Sequence, residues 1–229
     1  GSITSTVSAN TTSGFSIVSY TGTGSNATIG HSLNSVPKVM FVKRRSSSSD
    51  WTCYFEALGN TKRGILNLDS APDTASTFWN STTPTSSVFS VGTSGGTNAS
   101  SETYIAYCFS EVKGFSKAFS YSGNGSSDGS YIHLGFRSSF IMIKRVDSGS
   151  NAGWLMFDNK RLGYNGGNSF LEAHNSATES SAERIDILSS GFKNRSTTQV
   201  NNASGGSYIG IAFAESPFTT STGIPTNAR

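Results

Sequence analysis

Short runs rich in β-branched and aromatic residues, each closed by a cluster of Gly, Ser, Asn or Thr, recur along the whole chain. Such runs predict strands. In the first half they fall near Phe15 to Thr21, Ala27 to Ser32, Lys38 to Arg45, Trp51 to Ala57, Arg63 to Leu68, Ser87 to Val91 and Glu102 to Val112. About seven strands in about 100 residues suit a sandwich. Four apolar residues run together from Val39 to Val42, so this strand is expected to be buried on both faces. No segment carries a sustained apolar stripe at helical spacing. The best helical candidate, Ser180 to Leu188, is short and reads as a loop with at most one helical turn.

The pattern then repeats itself. Gly14-Phe15-Ser16 and the Ser19-to-Ser25 block return as Gly114-Phe115-Ser116 and the Ser120-to-Ser126 block. Val39 to Arg44, a polar loop and Trp51 return as Phe140 to Arg145, a polar loop and Trp154. Asn98-Ala99-Ser100, Tyr104, Phe109 and Glu111 are matched by Asn202-Ala203-Ser204, Tyr208, Phe213 and Glu215. The expected fold is all-β, with two tandem pseudo-repeats forming tightly packed antiparallel, jelly-roll-like sandwich units related by a pseudo-twofold. Residues 1–13 read as an N-terminal tail or linker, 14–113 as the first repeat, 114–218 as the second and 219–229 as a C-terminal tail. The passage Glu111-Val112-Lys113-Gly114 leaves no linker between the repeats.

Comparing the two copies separates scaffold from candidate sites. Tyr104, Tyr208, Phe109 and Phe213 are shared and read as structural, as do Glu111 and Glu215. Trp51 and Trp154 offer either flat faces for sugar rings or core packing, and retention in both copies favours the core. Trp79, next to Asn80 in a Thr/Ser/Asn-rich stretch, has no counterpart and is the better ligand-binding candidate. Arg44 and Arg45 precede a loop carrying Asp50, and Arg145 precedes Asp147. These form either a recognition patch for anionic glycans or a partner subunit, or a charged strand edge that discourages aggregation. Cys53 and Cys108 align with Met156 and Ala212, which favours free buried thiols, although a disulfide within one unit stays open.

Composition narrows the classes. Hydrophobic residues make up 34% of the chain and Gly 25 of its 229 positions, together close to the ~45% apolar share of a globular domain. The net charge is only +3 and charged residues are 14%, which is no footprint for nucleic acid. No apolar stretch reaches the ~18 residues of a membrane helix. The opening Gly1-Ser2 reads as a cloning remnant with no secretory leader behind it. None of His31, His133 and His174 has a partner at metal-ligand spacing, and no cofactor motif occurs. The glycine runs at 92–96 and 163–167 read as turns needing positive φ. Asp50, Glu56, Asp69, Asp158, Glu172 and Asp186 supply carboxylates for a glycosidase only if two of them converge.

The blocks "GFSIVSYTGTGS", "VPKVMFVKRRSSSSDW", "NASSETYIAYCFSEV" and "GFKNRSTTQVNNASGGSYIGIAFAESPF" resemble a domain common in predicted tail, tail-fibre and appendage proteins of marine tailed phages. The resemblance spans Gly14 to Phe218 and brings no catalytic or ligand residues with it. It implies a virion location, extracellular action, other virion subunits as partners and an oligomeric, homotrimeric parent protein. The expected function is non-enzymatic recognition of a host-surface polysaccharide or receptor. A structural or decoration module is the alternative and a polysaccharide hydrolase the third reading.

Overall fold

The computed structural model describes residues 1–148, 152–161, 165–217 and 219–220. Residues 163 and 164 of the second glycine run, residue 218 and residues 221–229 of the anticipated C-terminal tail lie outside the described residues. The chain divides into two compact units, one made of Gly1–Asn67 and Pro72–Glu111, the other of Leu68–Ala71 and the chain from Val112 onward. Every strand pairing within the named sheets is antiparallel, and the fold is an all-β sandwich.

In chain order the first unit contains β1 (Ser5–Asn10), β2 (Phe15–Thr21), β3 (Ala27–Gly30), β4 (Val39–Arg44), β5 (Trp51–Phe55), β6 (Lys62–Ile65) and β7 (Asp73–Thr74). A one-turn helix α1 (Ser76–Trp79), β8 (Val88–Val91), a second turn α2 (Gly95–Asn98) and β9 (Thr103–Phe109) complete it. The large sheet runs β1-β2-β9-β4-β5-β6-β7, and β3 pairs with β8 in a small second sheet. Strand periodicity explains the layering: along β9, Tyr104, Ala106 and Cys108 are buried while the residues between them are half-exposed on the opposite face. That inner face packs Val18, Tyr20, Met40, Val42 and Tyr54 against Ile29, Phe89 and Val91 of the small sheet. Val39 to Val42 is buried throughout. Seven strands against two is a less even division than the paired sheets of a jelly roll.

The second unit contains β10 (Ser116–Ser122), β11 (Tyr131–His133), β12 (Ser138–Arg145), β13 (Trp154–Asp158), β14 (Asn168–Glu172), β15 (Ser180–Ala182), β16 (Ile185–Leu188), β17 (Gly191–Asn194), the turn α3 (Gln199–Asn202) and β18 (Ser207–Ala214). Its large sheet runs β10-β18-β12-β13-β14-β15 and its small sheet β11-β17-β16. Phe119, Ile141, Ile143, Leu155 and Phe157 pack there with Ile132, Ile187 and Phe192. The first five places in this large sheet match β2-β9-β4-β5-β6 of the first unit in order. Tyr20 faces Tyr104 in one ladder and Tyr121 faces Tyr208 in the other, with the ring pairs stacked at 5.2 and 4.8 Å.

Three expectations are corrected. Ser5–Asn10 is no tail: it pairs residue for residue with β2, from Ser5↔Tyr20 to Asn10↔Phe15. Ser180 to Leu188 is no helical turn but two short strands, in which Ile185 and Ile187 point inward and Asp186 outward. Gly92, Gly95 and Gly96 do not take positive φ. Gly92 is needed for close approach instead, because a Cβ there would lie 2.1 Å from the Thr77 carbonyl oxygen.

Candidate functional site

The residues singled out for ligand binding do not converge. Trp79 is 1% exposed, since the α1 turn aims it inward, edge-on to Tyr54 at 5.6 Å. Its Nε1–H donates to the Lys62 carbonyl at 3.0 Å. Trp79 is therefore a core residue, and the hydroxyl-rich residues after it do not make it a surface platform. Asn80 follows in the left-handed region as the C-cap of that turn. Arg44 pairs with Glu102 at 2.5 Å, and the guanidinium holds the Glu102 carboxyl below its usual range. Arg145 pairs with Asp147 at 2.7 Å and depresses that carboxyl likewise. Asp50 accepts from Asn67 Nδ2 at 2.9 Å, whereas Arg45 is exposed. The basic positions thus mostly carry their own counter-ions.

The two tryptophans at the strand starts have their faces engaged by lysines. Lys43 Nζ lies 5.9 Å from the Trp51 ring and Lys144 Nζ 5.4 Å from the Trp154 ring, within cation–π range. Lys43 Nζ also donates to the Ser49 carbonyl, and the fully buried Lys144 to the Ala152 carbonyl. Trp154 is fully buried; Trp51 is half-buried and stacks on Tyr107 at 6.2 Å. Neither cysteine is in a disulfide, and both thiols are buried. Cys108 shares the inner face with its partner Met40, whereas Cys53 precedes Tyr54 and points to the opposite face, so no disulfide can join them. Burial pushes the Cys108 thiol up to about 12.

His31 is buried, with Nε2 donating to the Thr85 carbonyl at 3.1 Å and Nδ1 accepting from Leu33 N–H at 3.3 Å. Desolvation lowers its pKa. His133 is exposed and is one residue out of register with it, because Gly30, not His31, holds the equivalent ladder position. His174 accepts from Trp154 N–H at 3.2 Å and sits 3.7 Å from Glu172. Among the described residues no three His, Cys, Asp or Glu side chains form a group able to hold a metal ion.

Polar side chains do meet in the second unit, in an open cleft of about 610 Å³ lined by Ser127, Asp128, Asn165, Gly166, Glu183, Asp186 and Arg195. Arg195, just past β17, is the diagonal neighbour of Asp186 on the same face of the β16–β17 ladder, two residues beyond the Asp186 register partner Lys193, with Arg195 Nε 2.5 Å from Asp186 Oδ2. Arg195 Nη1 lies 3.4 Å from Asp128, which also pairs with Lys193. Lys193, followed by Arg195, keeps the Asp128 carboxyl ionised, below its ordinary pKa. Asn165 fixes one wall: its Oδ1 accepts from Ile187 N–H at 2.7 Å and its Nδ2 donates to the Ile187 carbonyl at 3.1 Å. The exposed Glu183 stands at the rim. The lining comes from four separate segments, so of this set the sequence singled out only Asp186. The result is an array of donors and acceptors tied together by ion pairs around Arg195 and Asp128.

A family model described as "Domain of unknown function (DUF7483)" matches residues 1–217. The chain belongs to the DUF7483 family. The DUF7483 match includes β1, in keeping with its place in the sheet. No curated protein and no solved structure matches the chain. The DUF7483 description states no activity.

Proposed function

We propose that this chain is a non-enzymatic recognition module of a tailed-phage tail fibre or appendage, built by duplication of one unit, that binds a hydroxylated host-surface ligand, a polysaccharide, in the cleft of the second unit. The observation that carries the reading is the cleft itself. Asp128, Asp186 and Arg195 present carboxylate and guanidinium groups held by mutual ion pairs and Glu183 adds an exposed carboxylate, and sugar hydroxyls are matched by such donors and acceptors. The virion location rests on the sequence resemblance. Duplication is supported by the common strand order and by the Asn98 and Asn202 networks treated below.

Hydrolysis would need one carboxyl kept protonated near neutral pH. In this cleft the Lys193 ammonium, then the Arg195 guanidinium, hold the Asp128 carboxyl below its ordinary range, the reverse of what that carboxyl would need to serve as the acid. The test is a glycan array of host-surface polysaccharides followed by titration of any hit. Glu183→Gln should weaken a hit about ten-fold, the worth of a hydrogen bond to a charged group, without changing the fold. An array with no signal, or a hit indifferent to both Glu183→Gln and Asp186→Asn, would remove the cleft from consideration. Release of reducing sugar would promote the hydrolase reading.

A further inference from the structure

Charge is unevenly shared inside the cleft of the second unit. Its lining carries the carboxylates of Asp128, Glu183 and Asp186 and the guanidinium of Arg195. Arg195 is engaged on two sides, through Nε by Asp186 at 2.5 Å and through Nη1 by Asp128 at 3.4 Å. Lys193, the register partner of Asp186, sends its ammonium to Asp128 as well. Three carboxylates therefore meet two cations, and both cations are placed on the two aspartates. The charge left over is that of Glu183. This side chain is exposed at the rim, and among the described residues no Lys, Arg or His lies within ion-pair distance of it. Its carboxylate acts on Arg195 only at longer range.

Hydrogen-bonding capacity is uneven in the same sense. Lys193 and Arg195 both bond to Asp128 Oδ1, and Arg195 bonds to Asp186 Oδ2. Asp128 Oδ2, Asp186 Oδ1 and both oxygens of Glu183 thus remain as acceptors among the described residues. Asn165 Nδ2 gives one N–H to the Ile187 carbonyl and has a second to offer, while the Ser127 hydroxyl can donate or accept. A ligand carboxylate is an acceptor only and would be set against these oxygens. An ammonium is a donor only, with three N–H groups to match them. The volume of about 610 Å³ lies within the range of roughly 300–1,000 Å³ usual for small-molecule sites.

We propose that the cleft selects a sugar bearing a free amino group, whose ammonium pairs with Glu183 while its ring hydroxyls meet Asn165 and Ser127; this rests on the cleft being the polysaccharide site. Specificity is a difference of affinities, made by attraction to one ligand and repulsion of another. Glu183 supplies both, attracting an ammonium and repelling the carboxylate of a uronic acid. Acetylation of the amine removes the cation and adds a carbonyl acceptor where the cleft already holds acceptors. Asp128 and Asp186 contribute acceptor oxygens without unmatched charge, which makes Glu183 the residue that sets the preferred charge of the ligand.

The test is calorimetric titration of the full chain with a glucosamine tetramer, its N-acetylated form, a galacturonic acid tetramer and tetralysine, with the amines kept protonated. At low salt the glucosamine tetramer should bind about five-fold more tightly than the acetylated one, as for an exposed ion pair, and added salt should narrow the gap by screening. Galacturonate should bind most weakly. Glu183→Gln should bring the amino and acetylated tetramers to parity, and Glu183→Lys should reverse the order in favour of galacturonate; both changes fall on an exposed side chain and leave the fold intact. Equal binding of the amino and acetylated tetramers, a wild-type preference for galacturonate, or no binding of the amine at millimolar concentration would overturn the proposal. Tetralysine binding more tightly than the glucosamine tetramer would make the ligand a basic peptide and overturn the assignment to an amino sugar. The underlying reading fails differently. A glycan array silent throughout removes the cleft as a polysaccharide site, whereas an acidic hit weakened by Asp186→Asn keeps the cleft and sinks only the choice of ligand charge.

Discussion

Asn98 and Asn202 are among the most tightly engaged side chains in the protein. Asn98 Oδ1 accepts from Thr23 N–H at 2.8 Å, and its Nδ2 donates to the carbonyls of Ser25 at 2.6 Å and Gly92 at 2.7 Å. Asn202 does the same with Asn124 N–H, Ser126 and Ser196. Each amide ties the loop after β2 or β10 to the segment before the last strand of its unit, β9 or β18. The neighbouring tyrosines complete the knot: Tyr104 accepts from Ala99 N–H and donates to the Gly95 carbonyl, and Tyr208 treats Ala203 and Gln199 likewise. Removing the amide leaves buried backbone groups without partners, and each such group costs about 1–3 kcal/mol. Asn98→Ala is therefore expected to destabilise the protein by about 3 kcal/mol in urea denaturation, whereas a loss under 1 kcal/mol would show that water replaces the amide. The Asn-Ala-Ser blocks were legible in the sequence as recurrent. Their role was not, because most of the groups that they bind lie more than seventy positions away.

At the level of elements, β2 and β9 meet through Val18 opposite Ala106, while β10 and β18 meet through Phe119 opposite Gly210. A larger residue on one strand is matched by a smaller one on its neighbour, so both inner faces keep their volume. A Cβ on Gly210 would come within 2.3 Å of the Phe119 ring and of the Met142 carbonyl oxygen. Gly210→Ala is expected to cost about 1–3 kcal/mol through overpacking. Adding Phe119→Val should recover part of that loss, giving a double-mutant coupling of at least about 0.5 kcal/mol; strictly additive effects in thermal melts would contradict the pairing. The strands that sequence reasoning located carry β-branched and aromatic residues on both faces, as β4 does. Those that it missed present one apolar face thinly. β1 has only Val7 and Ala9 among hydroxyl and amide residues, and β16 hides its Ile185/Ile187 alternation among charges. Trp79 was misjudged for a related reason: the polar residues after it look like an exposed loop, and only the tertiary fold turns the indole inward.

For the molecule as a whole, acid sensitivity should come in two separate windows. His31 is held neutral, with one ring nitrogen donating to Thr85 and the other accepting from Leu33, and desolvation lowers its pKa. Between that lowered value and the ordinary histidine value of about 6.5, the unfolded chain binds a proton that the folded one refuses, so stability falls as pH falls through this range. The ion-paired carboxyls of Glu102, Asp128 and Asp147 are shifted down instead. Their contribution is complete above about pH 4, the ordinary carboxyl range, and is lost only as pH drops further through their folded values. Urea midpoints recorded from pH 7.5 to 5.5 should therefore decline in the wild type before any carboxyl titrates, and His31→Gln should flatten that decline while leaving the drop below pH 4. An unchanged slope in the variant would mean that the first window belongs to other groups. A flat wild-type profile would mean that the buried ring accepts its proton at little cost, which the Leu33 N–H pointing at Nδ1 argues against, since protonation would set two donors face to face.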